Sequence, residues 1–262
     1  MIICNRISKT YAANGPDESR KTLDNVSFTA DSGEFICLLG PSGCGKTTLL
    51  NIIAGFVQPS EGHVLFDGKS MTGPGPDRGV VFQDPTLFPW LTAAQNIAFG
   101  LLNTQGDTPR TRARVAEGLN LVGLTAYANA YPHELSGGMR QRIALARVLV
   151  LEPKALLMDE PFSALDAISR ERLQDELLDI WQRRPVPIVF VTHNADEAAY
   201  LADRIMIMGP PPQSVRRIIP VSLPRPRSRS SEALYRLARV LRTNLGEMPC
   251  CITPLNKTEE DS

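Results

Sequence analysis

Gly40-Pro41-Ser42-Gly43-Cys44-Gly45-Lys46-Thr47 has the spacing G-x-x-x-x-G-K-[ST] of a loop that cradles phosphates. Such a loop needs a strand before it and a helix after it. Phe35-Ile36-Cys37-Leu38-Leu39 supplies the strand, and the segment from Thr48 to Phe56 supplies the helix. Backbone N–H groups from Gly43 to Thr48 can converge on phosphate oxygens, and the helix N-terminus adds partial positive charge. Lys46 is placed to reach the β- and γ-phosphates, and the Thr47 hydroxyl to ligate Mg²⁺. The same spacing can occur in a Gly-rich turn with an exposed lysine, but the flanking strand and helix argue against that.

Similar apolar runs recur outward from this loop. Val80-Val81-Phe82, Ala155-Leu156-Leu157-Met158, Ile188-Val189-Phe190-Val191 and Ile205-Met206-Ile207-Met208 are short and rich in β-branched residues. They suit strands buried on both faces of a largely parallel sheet covered by helices. Ile143, Ala146 and Val150 share one helical face, and Leu173, Leu177, Ile180 and Trp181 form another stripe. Ile2 to Ile7, Val26 to Thr29 and Val64 to Phe66 read as antiparallel strands. The fold class is therefore α/β, with a mixed or parallel sheet flanked by helices, an N-terminal antiparallel β-subdomain and a helical subdomain inserted at about 87–150. The main domain is expected over 1–210. Residues 211–262 read as a Pro-rich linker, a short helix from Glu232 to Arg242, and a mobile tail from Asn244.

Composition narrows the functional classes. Charged residues make up 21% and the formal net charge is zero, which gives no general argument for nucleic acid. No run of about 18 apolar residues exists that would span a bilayer. The N-terminus lacks an apolar segment behind a basic start, so no secretion is expected. Cys4, Cys37, Cys44, Cys250 and Cys251 show no metal-ligand spacing, and a reducing, cytosolic setting fits them. The vicinal Cys250-Cys251 pair reads as an incidental tail feature rather than a redox switch.

Two further motifs carry chemistry. The run Ala155 to Met158 ends in Asp159-Glu160, adjacent carboxylates that point to opposite sides of a strand. Asp159 is suited to hold Mg²⁺, directly or through water, and Glu160 to orient or deprotonate an attacking water. Leu135-Ser136-Gly137-Gly138-Met139-Arg140-Gln141 places a good N-cap, Ser136, before two glycines whose amides can approach a ligand closely. Alone, that stretch is a capped helix start.

Taken together, these motifs resemble the signature of the ATP-binding-cassette family, over about residues 1 to 210. The resemblance implies a P-loop NTPase core that hydrolyses ATP with Mg²⁺. It implies that Tyr11 stacks on adenine, although core packing of Tyr11 is an alternative. Gln83, in Val81-Phe82-Gln83-Asp84, would sit at the hinge to the helical lobe and sense Mg²⁺ and the attacking water. Ser163-Ala164-Leu165-Asp166 would cross between two cassettes. His193 would contact the γ-phosphate, where a lone histidine could also be a structural hydrogen bonder. Met139 stands where Gln is common, a mild departure. Ser136, Gly137 and Gly138 of one subunit would face the phosphate loop of another, so the resemblance implies a homodimer, or a pair with a related chain, holding two ATP molecules.

The resemblance further implies a separate integral-membrane permease, a periplasmic substrate-binding protein, and a peripheral place on the cytoplasmic face of the inner membrane. Leu87-Phe88-Pro89-Trp90-Leu91 is either lobe core or a permease-docking groove, and a groove would leave Phe88 or Trp90 partly exposed. Gly73-Pro74-Gly75-Pro76-Asp77-Arg78-Gly79 and Met208-Gly209-Pro210 are similar to the importer subfamily for nitrate, taurine and alkanesulfonates, leaning towards taurine cassettes. Ser214 to Arg242 carries eight arginines and one acid, Glu232, and reads as a solvated basic linker, or as a contact for anionic headgroups or the permease. Cassettes of DNA repair or translation are the rival class. They are disfavoured by the lack of sustained heptads and of a second cassette.

Overall fold

The apolar runs 35–39, 155–158, 188–191 and 205–208 become inner strands, because only burial on both faces accommodates them. The run 80–82 does not, since Val80 and Val81 lie in a partly buried edge strand and Phe82 follows it exposed. The computed structural model describes residues 1–12 and 19–246. β1 (Ile2–Ala12) pairs antiparallel with β2 (Ser19–Ala30). β3 (Phe35–Leu39) is buried throughout and leads through the phosphate loop into α1 (Lys46–Ala54). β4 (Glu61–Phe66) pairs antiparallel with β1, and β5 (Lys69–Ser70) with β4. After β6 (Arg78–Val81) come α2 (Ala93–Gln105), α3 (Pro109–Leu121) and α4 (Gly137–Leu149). Then β7 (Ala155–Asp159), α5 (Ala167–Arg183), β8 (Ile188–Thr192), α6 (Ala195–Leu201) and β9 (Arg204–Met208) alternate. β10 (Val215–Pro220) and α7 (Glu232–Gly246) complete the described chain.

The strands form two sheets, a six-stranded one in the order β10-β9-β3-β8-β7-β6 and a four-stranded one in the order β2-β1-β4-β5. The larger is parallel except for β10, which runs antiparallel to β9. The smaller is antiparallel, as expected for the N-terminal subdomain. Alternation along β3 divides the core. Phe35, Cys37 and Leu39 face a cluster that includes Leu173, Leu177 and Trp181 of α5 and Leu201 of α6. Ile36 and Leu38 face Leu49, Leu50 and Ile53 of α1 and the small sheet's Ile2 and Ile7. The helical lobe has a core of its own, with Ile97 and Leu101 of α2 against Val115 and Leu119 of α3 and Ile143 and Ala146 of α4.

The chain beyond residue 210 departs from the sequence reading. Residues 215–220, taken as linker, form an edge strand of the main sheet. Val221, Leu234, Ala238 and Leu241 are buried in the core cluster under α5 and α6. The short helix expected to end at Arg242 continues to Gly246, so Asn244 is helical and not the start of a tail. The remainder of the expected tail, with Cys250 and Cys251, lies outside the described residues.

Three arginines at alternating positions explain why this basic stretch is not a free linker. Arg225 bonds the Asp203 carboxylate at 2.7 Å and the Leu201 carbonyl. Arg227 is buried, and its Nη1 donates to the carbonyls of Ala199, Tyr200 and Ala202 at the end of α6, at 3.1, 2.8 and 2.7 Å. Arg229 reaches Gln174 and Asp175 on α5 and lies over the Tyr200 ring. These carbonyls have no partner within their own helix, so the guanidinium acts as a buried C-terminal cap. Arg227→Ala removes a charged donor from three carbonyls and should cost about 2–3 kcal/mol. The urea midpoint of the full chain should fall accordingly; an unchanged midpoint would refute the capping role.

Candidate nucleotide-binding site

Because β3 ends at Leu39, the loop from Gly40 emerges at the edge of the sheet and must turn sharply into α1. Gly43 and Gly45 make that turn in the left-handed region, with φ of 78° and 96°. Gly45 also has no room for a side chain, since a Cβ there would lie 2.8 Å from the Thr22 carbonyl and from Leu23 Cδ2. Gly40 packs equally close, with a Cβ position 2.5 Å from the Met208 carbonyl. Cys44 is buried beneath the loop. Lys46 is 5% exposed, and its ammonium donates to the carbonyls of Gly40 and Pro41 at 2.8 Å each, across the mouth of the loop. Contacts from the loop's own backbone thus hold the cation where an anion above the loop would meet it.

A cleft of about 620 Å³ opens over this loop. Ser42, Gly43, Gly45, Lys46, Thr47 and Thr48 form its floor, and Tyr11, Gln83 and Glu160 its walls. The cleft also takes in Arg20 and Thr22, which the sequence reading missed. Tyr11 and Arg20 are register partners across β1 and β2. The signal was available only through that pairing, because no motif spacing links the two positions. Tyr11 is 41% exposed, which sets aside the core-packing alternative for this side chain.

The acid pair divides as strand geometry requires. Asp159 is buried at the end of β7, and the Thr47 side chain hydrogen-bonds its carboxylate. Burial raises its pKa above the usual carboxylate range; the Thr47 bond opposes that shift, and the charge on Glu160 adds to it. Asp159 Oδ1 has no hydrogen-bond partner although it is buried. A buried, unsatisfied carboxylate oxygen beside a threonine hydroxyl is a donor set that suits a hard cation sharing phosphate ligands. Glu160 sits in the left-handed region at φ 44°, where a non-glycine residue is strained. That turn swings its carboxylate into the cleft and to 3.0 Å from His193 Nδ1. His193 follows β8 directly and is exposed.

Ser136, Gly137, Gly138 and Asp166 are not among the cleft walls. Ser136 accepts from the Met139 N–H and caps α4, as expected. Gly138 abuts the loop after β7, since a Cβ there would be 3.1 Å from Leu165 Cδ2. Asp166 caps α5, and the Ser169 N–H holds its carboxyl below the usual range. Gln141 of α4 donates to the Phe82 carbonyl at 3.1 Å, linking the helix behind Gly138 to the residue preceding Gln83. The chain therefore presents two separate surfaces: the cleft, and a glycine-rich helix start beside the Asp166 loop.

A strand-loop-helix phosphate cradle, an acidic strand end across from it and an inserted helical lobe define a nucleotide-hydrolysing cassette. The sequence profile of the ABC transporter family matches residues 23–163. The aliphatic sulfonates import ATP-binding protein SsuB of Bacillus cereus is 42% identical over 91% of this chain and 93% of that protein. The bicarbonate transport ATP-binding protein CmpD of Synechococcus elongatus is 46% identical over 87% and 82%. The nitrate import ATP-binding protein NrtC of the same species is 51% identical over 79% of this chain and 32% of its own greater length. Among solved structures, the dimeric bacterial ABC transporter cassette MJ0796 superposes with a TM-score of 0.78 at 33% identity, covering 85% of this chain and all of that one. Another structure of that cassette is a post-hydrolysis dimer bound to ADP and Pi. The protein belongs to the ABC transporter family and is an ATPase cassette of it.

Gly45→Ala tests the geometry of the loop. The left-handed φ and the contact with Thr22 together should cost about 1–3 kcal/mol, read as a lower thermal midpoint. An unperturbed midpoint would show that the loop backbone is not constrained as described.

Proposed function

We propose that this chain is the ATP-hydrolysing subunit of an importer for a small anion, acting on a separate membrane permease. The observation that carries the reading is the single cleft that gathers the phosphate loop, Gln83 and Glu160 from three separate elements. In this reading the amides of Gly43 to Thr48 and the Lys46 ammonium bind the phosphates, and Tyr11 stacks on the base. Thr47, Gln83 and Asp159 would hold Mg²⁺, which when bound neutralises phosphate charge. Glu160 orients the attacking water and accepts its proton, and His193 keeps Glu160 in place while approaching the γ-phosphate. Ser136, Gly137, Gly138 and Asp166 serve the nucleotide of a second copy.

Coupling to a permease is supported by the aromatic patch that follows Gln83 in the chain. Trp90 is 70% exposed, and Phe88 packs against it and against Phe99, with Arg147 over the Phe88 ring. That is the exposure a docking groove requires, while Leu87 packs into the lobe core. No described helix is long and apolar enough to cross a membrane, so the reading places the chain as a peripheral subunit on the inner face, with a periplasmic binding protein delivering substrate. The relatives' names cover sulfonate, nitrate and bicarbonate. Taurine remains the lean of the Gly73-to-Gly79 stretch alone. The cassette reconstituted with its permease and binding protein should transport one of taurine, alkanesulfonate, nitrate or bicarbonate with ATP; stimulation by nucleic acid or ribosomes instead would contradict the importer reading.

Two variants test the site. Lys46→Ala should abolish tight ATP binding by calorimetry, and unchanged affinity would remove the phosphate-loop assignment. Glu160→Gln should lower kcat by about 10²-fold, as loss of a general base does, while ATP now stabilises a dimer. A persistent monomer by sedimentation with ATP would contradict the shared site.

A further inference from the structure

Glu197 is a buried acid to which the reading above gives no task. It is 8% exposed, and burial raises its pKa above the usual range. A carboxylate in that position is expensive unless it is fully engaged. Its Oε2 accepts from the Thr192 hydroxyl at 2.6 Å, and its Oε1 accepts from Gln174 Nε2 at 3.3 Å. The Arg170 guanidinium lies 3.7 Å from Oε1.

Each partner leads to a different part of the site. Thr192 immediately precedes His193, and its Oγ1 also accepts from the Asn194 N–H, so its rotamer fixes the turn that carries the histidine. Arg170 donates to the carbonyls of Phe162 and Leu165 at 3.3 and 2.9 Å, which fixes the loop from Glu160 to Asp166. Gln174, 2% exposed, accepts from Arg229 Nη1 at 2.8 Å through its carbonyl. Arg229 in turn pairs with Asp175, which also accepts from the Tyr200 hydroxyl. The network therefore runs from the C-terminal arginine segment, through α5, to both loops at the cleft. Its inner part, Glu197 with Thr192 and Gln174, is buried and hydrogen-bonded, and such a buried polar network specifies one arrangement of its neighbours, while the Arg229–Asp175 end is partly exposed.

We propose that Glu197 is a positioning residue for ATP hydrolysis, tying the loop of His193 to the loop of Asp166, with Arg229 steadying it through Gln174. This rests on the roles assigned above to Glu160 and His193. Glu197 is not among the residues that line the cleft over the phosphate loop. It sets the distance between the His193–Glu160 pair and the residues offered to a second copy.

The test is steady-state ATPase kinetics of the full chain with Glu197→Ala, His193→Ala and the double variant, alongside Glu197→Gln. Glu197→Ala should lower kcat by about 10- to 100-fold, as small misplacements of reacting groups do, with KM for ATP nearly unchanged. The double variant should be less impaired than the product of the two single effects, because Glu197 acts in part through His193. Glu197→Gln keeps an acceptor for Thr192 and should recover most of kcat. Effects that multiply in the double variant, or a Glu197→Ala kcat at the wild-type value, overturn the proposal. If Glu197→Ala does not fold, Arg229→Ala serves in its place: kcat should fall several-fold with KM held, and a wild-type kcat overturns the proposal. His193→Ala with wild-type kcat would instead overturn the assignment of His193, and the proposal with it.

Discussion

The cleft depends on three parallel strands ending side by side. β3 lies between β9 and β8, and β8 lies between β3 and β7. Backbone register pairs Leu39 with Thr192 and Asp159 with Val191. Because of this register, the phosphate loop, His193 and the Asp159-Glu160 pair emerge at one edge of the sheet, though the sequence separates the loop from the other two by more than a hundred residues. Crevices at the carboxyl ends of parallel strands are the usual ligand sites of open α/β sheets, because loops there can vary while the strands stay fixed. The burial of every residue in β3, β7 and β8 keeps those strands fixed here.

Around that edge the chain places strain and unsatisfied polarity. Glu160 adopts a left-handed backbone conformation, Asp159 keeps an unpaired buried oxygen, and the Lys46 cation is held by two carbonyls of its own loop. The strain at Glu160 and the unpaired Asp159 oxygen do not stabilise the fold, and features of that kind cluster at functional sites. Polar contacts elsewhere compensate. The arginines of the C-terminal segment cap α6 and tie it to α5, so the helix that follows His193 is fixed at both ends, by Asn194 at its start and Arg227 at its finish.

The fold was legible where chemistry is local. The G-x-x-x-x-G-K-T spacing and the buried apolar runs gave the central strands, because each is a short pattern with one physical reading. The helical lobe was legible from the shared face of Ile143, Ala146 and Val150 and from Ser136 as a cap; the cap that Thr92 provides was not. The C-terminal segment was not. Proline and arginine alternate from Leu223 to Arg229 as in a solvated linker, and nothing in that pattern reveals that three guanidinium groups find buried carbonyls and carboxylates brought near only by tertiary packing. Edge strand β10 was missed because its pattern is short and mostly exposed. Arg20 escaped because it enters the cleft only through its register with Tyr11. Gly138 packs close to Leu165, and Ser136 lies outside the cleft, so one chain presents the glycine-rich helix start and the cleft as separate surfaces.

The most direct test of the central claim is a structure of the Glu160→Gln chain with ATP and Mg²⁺. The account predicts phosphates on the amides of Gly43 to Thr48, the γ-phosphate within hydrogen-bonding reach of His193, and Ser136 to Gly138 of a second copy on its far side. A nucleotide held away from that loop, or residues 136–138 distant from every phosphate in all copies, would contradict it.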